Sequence, residues 1–359
     1  MDKSMKNKKI VLTGGGTAGH VTPNIALLPK LRELNYEISY LGSYNGIEKK
    51  LITDFNIPYY GISVGKFRRY FDLKNLTDPF RVIKGYTEAK KHLQAIKPNV
   101  VFSKGGFVSV PIVRAAHALK IPCVIHESDM TPGLANKMCI SAAAYVCCNF
   151  PETVKLLDNS KAILTGSPIR NELRHGNKIA AYDLCDFTAN KPVIMVIGGS
   201  LGANSINETI RAALPNLLDD FQIIHICGKD KVDNMLLPLK GYKQFDYVKA
   251  ELKDLLAIAE LVISRAGANS ICELLALKKP NLLIPLSAGS RGDQIQNAKS
   301  FESQGFSMMI NDDDLTVSLL VDKIHELHFS RSNYIEAMGK SNQMNSIQMI
   351  IDLFEEFCI

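Results

Sequence analysis

One pattern occurs twice in this chain, and it limits the possible folds more than any other feature. Lys9-Ile-Val-Leu-Thr13 runs directly into Gly14-Gly-Gly-Thr-Ala-Gly-His20, and Pro192-Val-Ile-Met-Val-Ile197 runs into Gly198-Gly-Ser-Leu-Gly-Ala-Asn-Ser205. Each is an apolar run of strand length, then a glycine loop, then a helix start. Glycines permit the tight turn, and the first N–H groups of the helix point back at whatever the loop encloses. Two such openings about half a chain apart predict two Rossmann-like α/β halves. Elsewhere, short apolar runs alternate with longer amphipathic stretches, the pattern of βαβ units on parallel sheets. Strands are predicted near 9–13, 37–42, 99–103, 122–126 and 144–149, and again near 192–197, 221–226, 244–248, 260–264, 281–284 and 306–310. The polar segment 165–190 lacks strand pattern and reads as a linker between an N-terminal domain, 1–164, and a C-terminal domain, 191–343. The last piece, 344–359, is amphipathic and able to pack back on either domain, the N-terminal one included.

Composition sets outer bounds. Of 359 residues, 46% are hydrophobic and 22% charged, enough apolar material for two cores. The start is basic, but the apolar run after it, Ile10-Val-Leu12, is too short for the core of a signal peptide. No segment approaches the ~18 uncharged apolar residues of a membrane-spanning helix. Eight cysteines without a CxxC read as buried thiols of a reducing compartment. Asp312-Asp313-Asp314 invites a metal reading, but its place just before Leu315 suits a loop and helix cap. His325-Glu-Leu-His328 is one residue short of the spacing of a zinc helix. No metal and no cofactor are expected.

Each glycine loop has two readings. Gly14-x-Gly16-x-x-Gly19 fits the dinucleotide fingerprint, yet a nicotinamide site also wants a carboxylate closing the second strand. That strand ends Tyr40-Leu41-Gly42-Ser43, which counts against an oxidoreductase. His20 either faces a ligand or caps the helix. The loop around Ser200 either binds phosphate or is a close-packed turn. Ser264-Arg265-Ala266-Gly267-Ala268 opens a third helix, on which Glu273 either accepts from ribose hydroxyls or is a solvated surface acid.

Further motifs complete a series. They are Lys104-Gly-Gly-Phe-Val-Ser109, His126-Glu-Ser-Asp129 leading to Pro132-Gly-Leu-Ala-Asn-Lys137, Gly166-Ser-Pro-Ile-Arg170, and Asp293-Gln294 with Asn297-Ala298. In this order, over nearly the whole chain, the series resembles the MurG family. The resemblance implies a GT-B fold, two Rossmann-like parallel-sheet domains facing a central cleft, with the donor held mainly by the C-terminal one. It implies an inverting glycosyltransferase that moves GlcNAc from UDP-GlcNAc to the C4 hydroxyl of MurNAc in lipid I, making lipid II. Carried over position by position, it places donor contacts at Thr17, Ala18, Gly19, Asp129, Arg170, Ser200, Val248, Ala268, Glu273 and Gln294. Some relatives carry Asn where this chain has Asp129, which accepts but does not donate. His20 is the first choice for the base that takes the acceptor proton, and Glu127 the reserve. N–H groups around Ser200 and the Arg170 guanidinium would meet the leaving diphosphate without a metal.

The charge is concentrated. Of the chain's net +6, the stretch Gly65 to His92 holds eight basic and three acidic residues, net +5, interleaved with Phe67, Tyr70, Phe71 and Phe80. Such a stretch is ordinarily a solvated helix face. A lipid-linked acceptor makes it a membrane-docking patch instead, with Phe67, Arg68, Arg69, Phe71, Phe80, Arg81 and Lys84 meeting the anionic cytoplasmic leaflet. The expected partners are UDP-GlcNAc, lipid I, that membrane surface and other cell-wall synthesis proteins. Nucleic acid has no motif support. Two rival readings are a GT-B transferase acting on another lipid, such as diacylglycerol, and a nicotinamide oxidoreductase.

Overall fold

The computed structural model describes residues 8–65, 78–157, 160–199, 202–287 and 292–358. These form two compact units, 1–170 with 345–359, and 171–344.

The first unit is built on seven strands: β1 (Lys9–Thr13), β2 (Glu37–Ser43), β3 (Tyr59–Ile62), β4 (Val100–Ser103), β5 (Cys123–Glu127), β6 (Tyr145–Cys148) and β7 (Ala162–Leu164). Their order across the sheet is β3-β2-β1-β4-β5-β6-β7, and every pairing is parallel. Parallel strands are covered on both faces, so the central ones are nearly uninterrupted apolar runs. Ile10, Val11, Leu12, Val100, Val101 and Phe102 are all fully buried. The order reverses between β1 and β4, and at such a switch point the loops leaving the carboxyl ends of the strands splay apart around a crevice.

The last helix, Ser346–Glu355, belongs to this unit. Its apolar stripe places Ile350, Ile351 and Phe354 against Ile10, Leu12, Val100 and Phe102. The rings of Phe354 and Phe102 meet edge-on at 5.3 Å. A fully buried side chain of this size contributes about 1.5–3 kcal/mol. Glu355 adds polar ties to Lys8 Nζ at 2.5 Å and to the Tyr36 hydroxyl at 2.6 Å.

The second unit carries β8 (Val193–Ile197), β9 (Gln222–Ile226), β10 (Tyr242–Phe245), β11 (Ala259–Ser264), β12 (Asn281–Leu283) and β13 (Met308–Met309). The order is β10-β9-β8-β11-β12-β13, again all parallel, with the reversal between β8 and β11. A 23-residue helix, Val317–Gly339, buries Leu320, Ile324 and Leu327 against this sheet. Thr316 caps it, accepting from Leu319 N at 3.2 Å. The segment 165–190 is not bare chain. It holds a helix, Lys178–Cys185, capped by Asn177 and ended by Asp186 in the left-handed conformation. That cap is tied to the neighbouring helix Leu252–Ile258 through Asn177 N and Asp254 Oδ1, 2.6 Å apart.

None of the eight cysteines is in a disulfide, and all are buried. Among the described residues no helix is long and apolar enough to cross a membrane.

Candidate active site

In the first unit the loops after β1 and β4 meet. Gly15 N donates to Gly105 O at 3.3 Å. Gly106 must be glycine, because φ is +83° and a Cβ would lie 2.3 Å from the Gly15 carbonyl oxygen. His20 ends the short turn that follows the first loop. Its Nδ1 lies 3.0 Å from Gly15 O and 3.1 Å from Thr17 Oγ1. A carbonyl only accepts, so Nδ1 carries the proton and Nε2 is left as the acceptor of a neutral ring. Burial, and then the positive charge of Lys104, push the His20 pKa down to about 4, against smaller opposing effects of the Gly15 carbonyl and Glu48. The imidazole is therefore neutral throughout the physiological range, in the state a general base requires.

The loop that holds His20 is itself held from three sides. The Tyr40 hydroxyl donates to Gly14 O at 2.6 Å, while Asn24 Nδ2 donates to Tyr40 Oη and to Thr13 O, both at 3.1 Å. Glu48, buried on the helix Ile47–Thr53, accepts from Gly16 N at 3.2 Å and from Ser43 N at 3.0 Å. Sequence reasoning missed Glu48, since one acid in a short charged helix reads as solvated. It also passed over Lys104, which is buried with its Nζ 3.0 Å from His126 Nδ1 and against Ser128 Oγ. His126 Nε2 lies 2.9 Å from Gly166 O, so that nitrogen donates and Nδ1 accepts from the ammonium.

Glu127, at the end of β5, is buried and fully engaged. Oε1 accepts from Asp129 N at 2.9 Å, and Oε2 from Gly133 N at 3.0 Å and Asn136 Nδ2 at 2.9 Å. Its carboxylate shapes the loop that carries Asp129, and this geometry fits a clamp better than a base. Asp129 and Arg170 are both partly buried.

A cavity of about 1190 Å³ opens in this unit beside His20. Gly15, Gly16, Thr17, Tyr44, Glu48 and Phe107 line it, and so do Arg81 and Lys84 from the helix Asp78–Ile96. Thr17 and Ala18 are exposed, with Gly19 partly covered. Phe80, on the same helical turn, is exposed. Ser200, Phe67, Arg68, Arg69 and Phe71 lie outside the described residues.

The second unit gathers the other predicted positions at the carboxyl ends of its strands. Gly202, at φ +69°, packs where a Cβ would lie 1.9 Å from Cys227 O, locking the glycine loop onto the end of β9. Ala268 is the first residue of the helix Ala268–Ala276, whose N-cap position is Gly267. Glu273 is partly buried on that helix. Gln294 Oε1 accepts from Leu286 N at 3.0 Å, and Asn297 Nδ2 donates to Ala266 O at 3.1 Å. Val248 is buried beyond β10. Arg265 ties four segments together. It pairs with Asp312 at 2.8 Å and donates to Ser205 Oγ and Ile284 O, both at 2.9 Å.

The acidic triplet Asp312–Asp314 is a single 3-10 turn spent on such ties, with Asp313 accepting from Ser287 Oγ at 2.9 Å. Among the described residues no group of three His, Cys, Asp or Glu is arranged to hold a metal. His325 and His328 pack on the Phe221 ring at 5.4 and 5.2 Å.

With this geometry in hand, comparison with known proteins is specific. Residues 10–147 match the glycosyltransferase family 28 N-terminal domain, and residues 193–354 the family's C-terminal domain. The chain is 60% identical over 350 residues to the UDP-N-acetylglucosamine–N-acetylmuramyl-(pentapeptide) pyrophosphoryl-undecaprenol N-acetylglucosamine transferase of Lachnospira eligens, covering 97% of this chain and 99% of that one. The enzyme of the same name from Clostridium novyi is 57% identical, with 98% and 99% covered. Among solved structures, Acinetobacter baumannii MurG superposes with a TM-score of 0.76 at 26% identity, covering 97% of this chain and 99% of the other. UDP-GlcNAc 2-epimerase from Neisseria meningitidis, at TM-score 0.67 and 13% identity, shares the fold.

Proposed function

The chain belongs to glycosyltransferase family 28 and, within it, to the MurG transferases, and on that premise we propose how its residues perform the transfer. The enzyme moves N-acetylglucosamine from UDP-GlcNAc to the muramyl sugar of lipid I, forming lipid II for peptidoglycan. Near-full-length identity of 60% carries this reading of the reaction. The fold is GT-B, with two Rossmann-like domains.

The acceptor C4 hydroxyl gives its proton to His20 Nε2 as it attacks C1 of GlcNAc from the face opposite UDP. Inversion then needs one displacement and no covalent glycosyl-enzyme. The orientation of His20 supports this role, since Nδ1 is spent on Gly15 O and leaves only Nε2 to accept. The departing diphosphate needs charge-assisted or dipolar donors, and the second glycine loop around Ser200 and the Arg170 guanidinium are the proposed ones. Gln294 and Asn297 hold the neighbouring loop and helix start, so Ala268 and Glu273 meet the nucleoside on a rigid frame. The direct test is transfer of radiolabelled GlcNAc from UDP-GlcNAc to a short-chain lipid I analogue, in excess EDTA. Efficient transfer is the expected result. Loss of activity restored by Mg²⁺ or Mn²⁺ would refute the metal-free account.

Glu273 is proposed to accept from the ribose hydroxyls. Glu273→Ala should then weaken UDP-GlcNAc binding by about 1–3 kcal/mol. Calorimetry on the folded variant checks this, and unchanged affinity removes Glu273 from the donor site.

The basic-aromatic stretch is proposed to bring the enzyme to the cytoplasmic face of the membrane as a peripheral protein. Screening already limits exposed charges to a reach of about 8 Å at physiological ionic strength. Sedimentation with anionic vesicles should therefore fall steadily as salt is raised, while binding that ignores salt would argue for docking by another surface.

A further inference from the structure

The acceptor of this reaction carries its reacting hydroxyl and its diphosphate on the same sugar ring, at C4 and C1. The group that takes the proton and the groups that meet the phosphates must therefore share one cavity, a ring's width apart. Among the described residues lining the cavity beside His20, the lysines and arginines are Arg81 and Lys84. Two N–H groups at the start of the first glycine loop are already engaged. Gly15 N–H is spent on Gly105 O and Gly16 N–H on the Glu48 carboxylate, which also places a negative charge in the wall.

We propose that Arg81 and Lys84 form the subsite for the diphosphate of the lipid-linked acceptor. This rests on the transferase reading above and deepens it. Arg81 offers a planar fork suited to bidentate phosphate contact, and Lys84 a mobile point charge. Lys84 is largely solvent-exposed, with Glu88 Oε1 3.9 Å from its ammonium, so it is able to swing toward a ligand.

The same helical turn shows why these two residues are not simply part of the membrane patch. Phe80 and Ile83, three residues apart and 75% and 64% exposed, share one face. Arg81 and Lys84, also three apart, share the adjacent face that lines the cavity. An undecaprenyl chain lies in the bilayer, its diphosphate at the surface and its sugar beyond. Phe80 and Ile83 at the lipid, Arg81 and Lys84 at the diphosphate, and His20 at the sugar hydroxyl follow that order.

The test uses the full-length protein with Arg81→Gln, Lys84→Gln and both together. The acceptor is a water-soluble short-chain lipid I analogue, without vesicles. Each single change should raise the acceptor KM about tenfold or more, as expected for losing a charge-assisted contact. KM for UDP-GlcNAc should stay within about threefold, and so should kcat at saturating acceptor. An analogue with a neutral group in place of the diphosphate should be used equally poorly by all four proteins. Phe80→Ser with Ile83→Ser should weaken binding to anionic vesicles and leave the soluble acceptor KM unchanged. A wild-type KM for the soluble diphosphate acceptor in the double variant overturns the subsite. If its vesicle binding falls at the same time, the two charges serve lipid headgroups. Failure of the unaltered protein to transfer GlcNAc at all overturns the transferase reading, and the subsite with it.

Discussion

Replacing His20 by alanine is expected to lower kcat by roughly 10²–10⁴-fold, the range of a general base, while UDP-GlcNAc binding and the melting temperature change little. The pH profile is the sharper signature. The His20 pKa is pushed down to about 4 by burial and by Lys104, while Glu48 opposes the shift, and Arg81 and Lys84 are the other charges on the same cavity. A group with a lowered pKa stays neutral until the pH nears that value. Activity carried by neutral His20 should therefore hold as pH falls through the ordinary histidine range. At pH 5.5 an unperturbed histidine would be only about one-tenth neutral, whereas this one is nearly all neutral. The expected kcat/KM at pH 5.5 is within about twofold of that at pH 7.5. A tenfold fall over that interval, or a His20→Ala variant with near-wild-type kcat, would refute His20 as the base.

Glu127→Ala should instead act on stability. It strips one buried carboxylate from the N–H groups of Asp129 and Gly133 and from the Asn136 amide, which keeps only its bond to His126 O. Unpaired buried donors cost about 1–3 kcal/mol each, so losing the three contacts costs at least about 3 kcal/mol. That corresponds to a fall of roughly 10 °C in the melting transition of the first unit. Glu127→Gln keeps two acceptor contacts and turns an NH₂ on the third, and should lose part of that stability. If Glu127 were the base, the glutamine variant would also lose at least about 100-fold in kcat. A thermal scan beside a kinetic assay separates the two.

The glycine loops and the central strands could be read directly because both obey local rules. A strand buried on two faces must be apolar along its length, and a strand-to-helix turn with positive φ needs glycine. The edges of the first sheet were not legible. β3 is Tyr59-Tyr-Gly-Ile and β7 is Ala162-Ile-Leu, too short and too mixed to show a period. The helix Lys178–Cys185 was lost in a polar stretch for a related reason, since it buries only Ala181 and Cys185.

Residue types at spaced positions determined the family, the number of domains and the candidates His20, Glu127, Arg170 and Glu273, because those follow from order along the chain. Only the tertiary structure decided what several charges do. Glu48 and Lys104 look like surface residues until the fold buries them beneath the glycine loops. Glu127 is a second candidate base in the sequence, and the fold shows its oxygens accepting from two backbone N–H groups and the Asn136 amide. Arg81 belongs to a basic run until the helix turns it into the cavity of His20. The final amphipathic helix shows an apolar stripe but not its partner, which proves to be the first sheet, more than 180 residues earlier in the chain. Burial and hydrogen-bond partners join residues far apart in sequence, and spacing along the chain carries no record of them.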